Sequence, residues 1–158
     1  MTVLKLLGVL LILGAGGFAA SLFVGFEKRK IAVLAGWSDL IFYIRSQVDC
    51  YLLPLPQIME RADRALLEAC LCRQQHPDLT SIYHSSQMYL DTEARRLLSS
   101  FVREFGYGRR EELLRRSDYY IAALGQLRAK RMEELSAKSR VIFAVCMGAA
   151  VLLSILLW

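Results

Sequence analysis

The sequence predicts an all-α protein, a small helical bundle between an N-terminal and a C-terminal transmembrane helix, with long helices continuing into both spans. Residues 6–26 carry no charge, and residues 141–158 carry none either. Between these runs, apolar residues recur every three or four positions, which is helical spacing, and no segment alternates every second residue as a half-buried strand does. We therefore divide the chain into a transmembrane helix at 1–26, a helical domain at 27–140 and a transmembrane helix at 141–158.

Composition agrees with two spans attached to one domain. Hydrophobic residues make up 55% of the 158 residues and the mean hydropathy is +0.34. That is more apolar than an average soluble protein and less apolar than a bundle of many spans. The net charge of +5 suits either nucleic acid or the anionic headgroups of a membrane surface. Basic residues lie beside both apolar runs, so we predict a membrane partner and no nucleic acid.

The first apolar run has two interpretations. It is 21 residues long, and Gly17-Phe18-Ala19 within it resembles the cleavage site of a signal peptide. The run nevertheless continues for seven residues past Ala19 and stops at the basic residues 28–30. We favour an uncleaved span. The second run has eighteen residues, just enough to cross a bilayer core of about 30 Å at about 1.5 Å of rise per residue.

The positive charges predict an orientation. The side between the two runs carries most of them, and the opposite side has only Lys5 and the amino terminus. Lysine and arginine are enriched on the cytoplasmic side of membrane proteins. The helical domain should therefore be cytoplasmic, with both termini outside. The positive residues nearest the runs on the domain side are Lys28, Arg29, Lys30, Arg128, Lys130, Arg131, Lys138 and Arg140.

Two long helices should lie side by side in the domain. The first continues from Ile31 to near Leu53, where Pro54 and Pro56 stop it. Its apolar seam steps by three and four, through Leu34, Trp37, Ile41, Ile44, Val48 and Tyr51. The last helix opens at Arg109. Its predicted inward face comprises Leu113, Ser117, Ile121, Leu124, Arg128, Met132 and Leu135.

Shorter helices should fill the middle of the chain. One should begin at Pro56 and end near Arg73. Its predicted apolar stripe is Ile58, Ala62, Ala65, Leu66 and Ala69. After a polar connector, Asp78 can cap a short helix within 79–88, with Leu79, Ile82 and Tyr83 facing inward. Asp91 can cap a helix over 92–105, which Gly106 and Gly108 end. The buried face of that helix should be Ala94, Leu97, Leu98, Phe101 and Phe105.

No pattern in the chain predicts catalysis. The spacing of Cys70, Cys72 and His76 matches no common zinc site. The three cysteines outside the spans argue against a disulfide framework and favour a reduced compartment. The glycines at 14, 16 and 17 lack the following lysine of a phosphate-binding loop. We predict no enzyme, no cofactor and no metal. An enzyme that uses Cys70 or Cys72 is the alternative in this class.

Arginines in the last helix form the candidate partner-binding site. The residues are Arg109, Arg110, Arg115, Arg116 and Tyr119. They could form a docking surface for an acidic partner, because tyrosine and arginine are enriched at interfaces. The alternative is a solvated helix face, in which Glu111 pairs with Arg115 and Glu112 with Arg116 at i,i+4 spacing.

The order of these features resembles the stage III sporulation protein AB family of endospore-forming bacteria. The segment 44–62 runs through Pro54-Leu55-Pro56 into an amphipathic helix, as in that family. Phe105-Gly106, a charged stretch and a terminal span with Gly148 also fit. The sequence departs from the family at Tyr107-Gly108-Arg109-Arg110, where a Gly-x-x-Asp turn is usual.

The resemblance implies a function in assembly. The family is similar to the cytoplasmic domain of the inner-membrane platform protein of type II secretion and type IV pilus systems. It implies a non-enzymatic platform subunit in the mother-cell membrane around the forespore. The implied partners are a cytosolic ATPase and other channel subunits, and we expect a homo-oligomer. The alternative is a membrane-tethered helical scaffold or binding module unrelated to sporulation.

Overall fold

The computed structural model describes residues 2–51, 53–74, 77–105 and 109–156, and this part of the chain is all-α, without a strand. Its helices are α1 (Thr2–Tyr51), α2 (Leu55–Glu60), α3 (Arg64–Ala69), α4 (Leu79–Ser86), α5 (Thr92–Glu104) and α6 (Arg110–Leu156). A 3-10 turn at Gln87–Tyr89 joins α4 to α5. The prediction that the chain is all-α is confirmed for these residues.

The chain divides into two compact units. The terminal unit comprises Met1–Lys28 with Arg131–Trp158, and the central unit comprises Arg29–Lys130. Because α1 and α6 are long, each contributes residues to both units.

The terminal unit exposes apolar surface. By length and composition, α1 and α6 are each able to cross a membrane, yet only 6% of the most apolar stretch of each is buried. A core helix of a soluble protein would be mostly covered. The large exposed apolar side chains include Leu10, Leu11, Phe18, Leu22, Phe23, Val145, Leu152 and Ile155.

Small residues let the two helices of the terminal unit approach each other. A Cβ built on Gly16 would lie 3.1 Å from the Cβ of Ala150 and 3.2 Å from the carbonyl oxygen of Cys146. Ala20 is fully buried, and Ala150 is 4% exposed. Close contact through small side chains is typical of helix pairs in apolar surroundings.

In the central unit, α1 buries the predicted seam except at one end. Its buried residues include Leu34, Trp37, Ile41, Ile44 and Val48. The prediction for Tyr51 is wrong, because this side chain is 65% exposed at the last residue of the helix.

The inward face of α6 is correct in its first part and wrong afterwards. Ser117 and Leu124 are buried, but Arg128 and Met132 are exposed. The buried residues of the observed face are Ser117, Tyr120, Leu124 and Leu127. They step by three, four and three, as the α1 seam does. The predicted steps were mostly four, and such a pattern drifts around the helix, away from a partner that follows a seven-residue repeat.

Residues 56–73 form two helices rather than the single predicted one. The chain leaves the helical conformation at residues 61–63, and the carboxylate of Asp63 accepts a hydrogen bond from the amide of Ala65, 3.2 Å away, to cap α3. The turn rotates the second half of the predicted stripe, so that Ala65 is exposed and Leu67 is buried. Helix α3 ends at Ala69, and the positive φ of 62° at Leu71 lets the amide of Cys72 reach the carbonyl of Leu67 at 2.9 Å.

The two predicted caps in the second half of the domain are confirmed. Asp78 accepts a hydrogen bond from the amide of Ser81 at 2.9 Å, and Asp91 accepts one from the amide of Ala94 at 2.8 Å. The inward residues Leu79, Ile82, Ala94, Leu98, Phe101 and Phe105 are buried, whereas Tyr83 and Leu97 are half-buried. Helix α5 ends at Glu104, and the predicted stops at residues 106 and 108 lie outside the described residues.

One buried hydrogen bond links α1 to α4. The indole Nε1–H of Trp37 donates to the Oγ of Ser86 at 2.9 Å, and both residues are fully buried. Indole N–H groups need such a partner when they are removed from water. The bond therefore allows a tryptophan to occupy the centre of the core.

Candidate functional site

The five predicted residues lie at the start of α6 and just before it, but they do different things. Arg109 precedes the helix and is exposed, as are Arg110, Arg115 and Tyr119, whereas Arg116 is half-buried. Their hydrogen bonds divide them into internal links and free surface groups.

Arg110 links α6 to the end of α1. Its Nη2 donates to the backbone oxygen and to Oδ1 of Asp49, both at 2.6 Å. Both side chains stay about half exposed. Because the guanidinium holds a carbonyl in the last turn of α1 as well as a carboxylate, it also stabilises the negative end of that helix.

Arg116 links α6 to α5. Its Nη2 donates to Oε1 of Glu112 at 2.5 Å, and its Nη1 donates to the backbone oxygen of Glu104 at 3.3 Å. The predicted i,i+4 pair of Glu112 with Arg116 is therefore present. The other predicted pair, Glu111 with Arg115, does not form. Arg116 is therefore held both by Glu112 of its own helix and by the backbone of α5.

The two adjacent tyrosines separate into one surface and one core residue. Tyr119 is 62% exposed, whereas Tyr120 is 5% exposed. The hydroxyl of Tyr120 donates to Oε2 of Glu104 at 3.1 Å, and its ring packs edge-on against Phe101 with 5.2 Å between centroids. Burial, together with the hydrogen bond to Glu104, raises the pKa of Tyr120 to about 12. Only Tyr119 is available to a partner.

A second ion pair joins the long helices on the flank of the candidate surface. The guanidinium of Arg45 donates through Nε to Oδ1 of Asp118 at 2.5 Å and through Nη2 to Oδ2 at 3.2 Å. This two-pronged geometry is the strong form of an arginine–carboxylate pair. The hydrogen bond to Asp118 raises the pKa of Arg45.

What remains for a partner is a small basic and aromatic surface. Arg109 and Arg115 take part in no ion pair with any residue that the structure describes. Tyr119 lies one helical turn after Arg115, so the two side chains share a face of α6. We call Arg115 and Tyr119 the α6 surface, and Arg109 is an exposed arginine just before the helix. The chemistry of the α6 surface suits an acidic partner with an apolar contact.

The cysteines are poor candidates for chemistry. Cys70 is fully buried, and this burial raises the pKa of its thiol to about 12. A cysteine nucleophile or metal ligand acts as the thiolate, which such a site disfavours. In the part of the chain that the structure describes, no three metal-binding side chains form a group, and His76 lies outside this part.

Asp49, Glu104 and Arg45 were missed as residues that organise this site. Asp49 and Arg110 are 61 residues apart, and Arg45 and Asp118 are 73 apart. Arg45 and Asp49 flank the α1 seam four residues apart with opposite charge. That signal predicts paired charges on a neighbouring helix, as flanking positions do in coiled coils.

Comparisons of the chain with models of protein families, with curated proteins and with solved structures found no match.

Proposed function

We propose that the chain is a non-enzymatic membrane platform subunit of a sporulation-specific secretion or channel complex between mother cell and forespore. In this function it couples a cytosolic ATPase to the membrane. The proposal joins the resemblance to the stage III sporulation protein AB family with the architecture of the two long helices.

The continuity of α1 and α6 is the observation that carries the proposal. They run for 50 and 47 residues without interruption and contribute to both units. A continuous helix carries a displacement applied at one point along its axis, whereas a flexible linker does not. Arg45–Asp118 and Asp49–Arg110 join the helices in the central unit. A force on one helix therefore reaches the other.

In this proposal, the terminal unit spans the mother-cell membrane around the forespore. Its outward apolar side chains face lipid, and the basic residues between the two apolar runs support a cytoplasmic position for the central unit. The α6 surface is then on the side where a cytosolic ATPase can bind. Other channel subunits and further copies of the chain would contact the remaining faces.

Orientation can be tested with a native thiol. Cys50 is exposed, whereas Cys70 and Cys72 are buried. A membrane-impermeant thiol reagent should label Cys50 only after cells are permeabilised, with a Cys50→Ser variant giving the background. Labelling of Cys50 in intact cells would place the central unit outside and exclude direct contact with a cytosolic ATPase.

Co-purification from sporulating cells tests the coupling. The full-length chain should retain the ATPase, and an Arg115→Glu, Tyr119→Ala variant should lose most of it. Arg61→Glu is the matched control, since Arg61 is an exposed arginine in the turn between α2 and α3 and is not part of the α6 surface. Absence of the ATPase from the wild-type preparation would overturn the proposal. Expression only during vegetative growth would favour a scaffold unrelated to sporulation.

A further inference from the structure

The 3-10 turn Gln87–Tyr89, which we call the Met88 turn, presents one apolar side chain to solvent. Met88 is 75% exposed, more than any other large apolar residue that the structure describes in the central unit. Leu90, two residues later, is 3% exposed. Exposing such a side chain costs stability in water unless something covers it. A single exposed apolar residue is ordinary by itself, so its surroundings decide what it does.

Two arginines hold the Met88 turn. The Nε of Arg95 donates to the backbone oxygens of Gln87 and Leu90, at 3.1 and 2.9 Å. The guanidinium carbon of Arg29 lies 5.9 Å from the centre of the Tyr89 ring, within the range of a cation–π contact. Both arginines are exposed. Two positively charged side chains therefore hold the turn at Gln87, Tyr89 and Leu90, and Met88, which lies among these residues in the chain, is exposed.

The contact with Arg29 fixes where along α1 the turn lies. Arg29 follows Phe26, the last residue of the uncharged run, by three positions, which is less than one helical turn. The Met88 turn thus packs beside the point where α1 changes from apolar to basic. In a helix that crosses a bilayer, this change marks the boundary between acyl chains and headgroups.

The chemistry at this level matches the surface of an anionic membrane. A flexible apolar side chain can enter the acyl boundary, while arginines next to it bind phosphate oxygens with two or more N–H groups. Basic residues near an anionic leaflet are attracted to its headgroups. Arg29 and Arg95 have free N–H groups for this purpose, because Arg95 uses only its Nε in the described contacts.

We propose that the Met88 turn is a third membrane contact, which docks the central unit on the anionic phospholipids of the cytoplasmic leaflet. Met88 enters the acyl boundary, and Arg29 and Arg95 bind lipid phosphates. This inference rests on the proposed function, in which the terminal unit spans the membrane.

Depth measurement on the full-length chain tests this inference. The chain is placed in nanodiscs of phosphatidylcholine, or of phosphatidylcholine with phosphatidylglycerol, and carries a nitroxide label at one introduced cysteine. Cys50 and Cys146 are replaced by serine, and Cys70 and Cys72 are buried. The label is placed at Met88→Cys, at Phe42→Cys as the control, or at Leu22→Cys as the marker of the span. Phe42 is 60% exposed, and Leu22 is 59% exposed.

The control position is similarly exposed but distant along the helix. Phe42 is thirteen residues beyond Arg29, which is about 20 Å along α1 at 1.5 Å per residue. In discs with phosphatidylglycerol, we expect the label at position 88 to be accessible to oxygen and protected from a polar nickel chelate. Without phosphatidylglycerol its protection should fall severalfold, and Arg29→Gln should lower it in the charged discs. Position 42 should be open to the chelate in both kinds of disc.

The outcomes separate this inference from the proposed function. If position 22 is protected and position 88 is as open to the chelate as position 42, the Met88 turn does not contact the membrane. The proposal that the terminal unit spans the bilayer is unaffected by that result. Equal protection of position 88 in both lipids would overturn the recognition of anionic headgroups. If position 22 is open to the chelate, the terminal unit does not span the bilayer, and the proposed function fails together with the inference.

Discussion

Gly36 of α1 lies directly under the carbonyl group of Ala69 at the end of α3. A Cβ built on Gly36 would be 2.7 Å from the carbonyl oxygen and 2.8 Å from the carbonyl carbon. Real Cβ atoms essentially never come so near to a backbone atom, and a backbone carbonyl cannot rotate away as a side chain can. The end of α3 therefore rests on a helix surface that only glycine provides.

Replacing Gly36 by alanine should destabilise the central unit. Alanine gains about 1 kcal/mol of helix propensity over glycine, but the forced displacement of α3 costs about 1 to 3 kcal/mol. We expect a net loss of about 1 kcal/mol, and at most about 2 kcal/mol, in the free energy of unfolding. The measurement is unfolding of the full-length chain in detergent, followed by circular dichroism.

Gly125→Ala is the matched control for Gly36→Ala. A Cβ at Gly125 would have no atom within 4 Å. This change should leave stability unaltered or raise it by up to about 1 kcal/mol. A loss of the same size at both glycines would show that the contact with Ala69 does not matter.

Removing the acceptor of the buried tryptophan should also destabilise the core. In Ser86→Ala, the Nε1–H of Trp37 loses the Oγ that it contacts at 2.9 Å. An unsatisfied buried donor costs about 1 to 3 kcal/mol. Ser85→Ala is the control, because Ser85 is exposed and its hydroxyl bonds only to the carbonyl of Ser81. Indistinguishable unfolding midpoints for the two variants would contradict this account.

The ion pair between Arg45 and Asp118 should couple the two positions only weakly. Its side chains are 31% and 56% exposed, and pairs of this exposure typically contribute about 1 kcal/mol or less. Arg45→Asp and Asp118→Arg should each destabilise the protein, and the double exchange should recover most of the loss. A double-mutant cycle at low and high salt measures the coupling. Additive effects would show that the pair contributes nothing.

Alkaline pH should destabilise the protein through Cys70. Burial raises the pKa of this thiol from 9.0 to about 12 in the folded chain. Above pH 9 the unfolded chain loses the thiol proton and the folded chain keeps it. The contribution of the Cys70 thiol to the free energy of unfolding is therefore complete below pH 9. It falls as pH rises towards 12, by at most about 1.4 kcal/mol per pH unit.

Comparison of two cysteine variants isolates this effect. Cys70→Ala should lose the alkaline slope, and Cys50→Ala, at an exposed position, should keep it. The slope is best measured between pH 9 and 10, because Tyr120, whose pKa is raised to about 12, contributes in every variant at higher pH. An unchanged slope in Cys70→Ala would refute the assignment.

Local chemistry was predictable because it acts over a few residues. Asp78 and Asp91 cap their helices by bonding amides three residues ahead, and that geometry needs no other part of the chain. The cap at Asp63 is equally local, since its carboxylate accepts from the amide two residues ahead. It was missed because the apolar stripe across it also fits one continuous helix, and only packing decides between the two.

The candidate site was predictable in its location and not in its composition. An arginine pair such as Arg115-Arg116 looks uniform in sequence, yet one member bonds to Glu112 and the backbone of Glu104 while the other is free. Which of the two arginines forms hydrogen bonds within the protein depends on the rotation of α6 against α5 and α1. That rotation is set by contacts between residues far apart in the chain.

The sequence by itself determined that the protein is helical, where its two apolar segments lie and which aspartates begin α4 and α5, since these follow from composition and short-range hydrogen bonds. The tertiary structure alone decided that Arg128 faces solvent while Leu127 is buried, and that Gly36 meets Ala69. The physical reason is that periodicity fixes a helix and its approximate apolar side. The register and rotation of a helix come from the shape of the partner against which it packs.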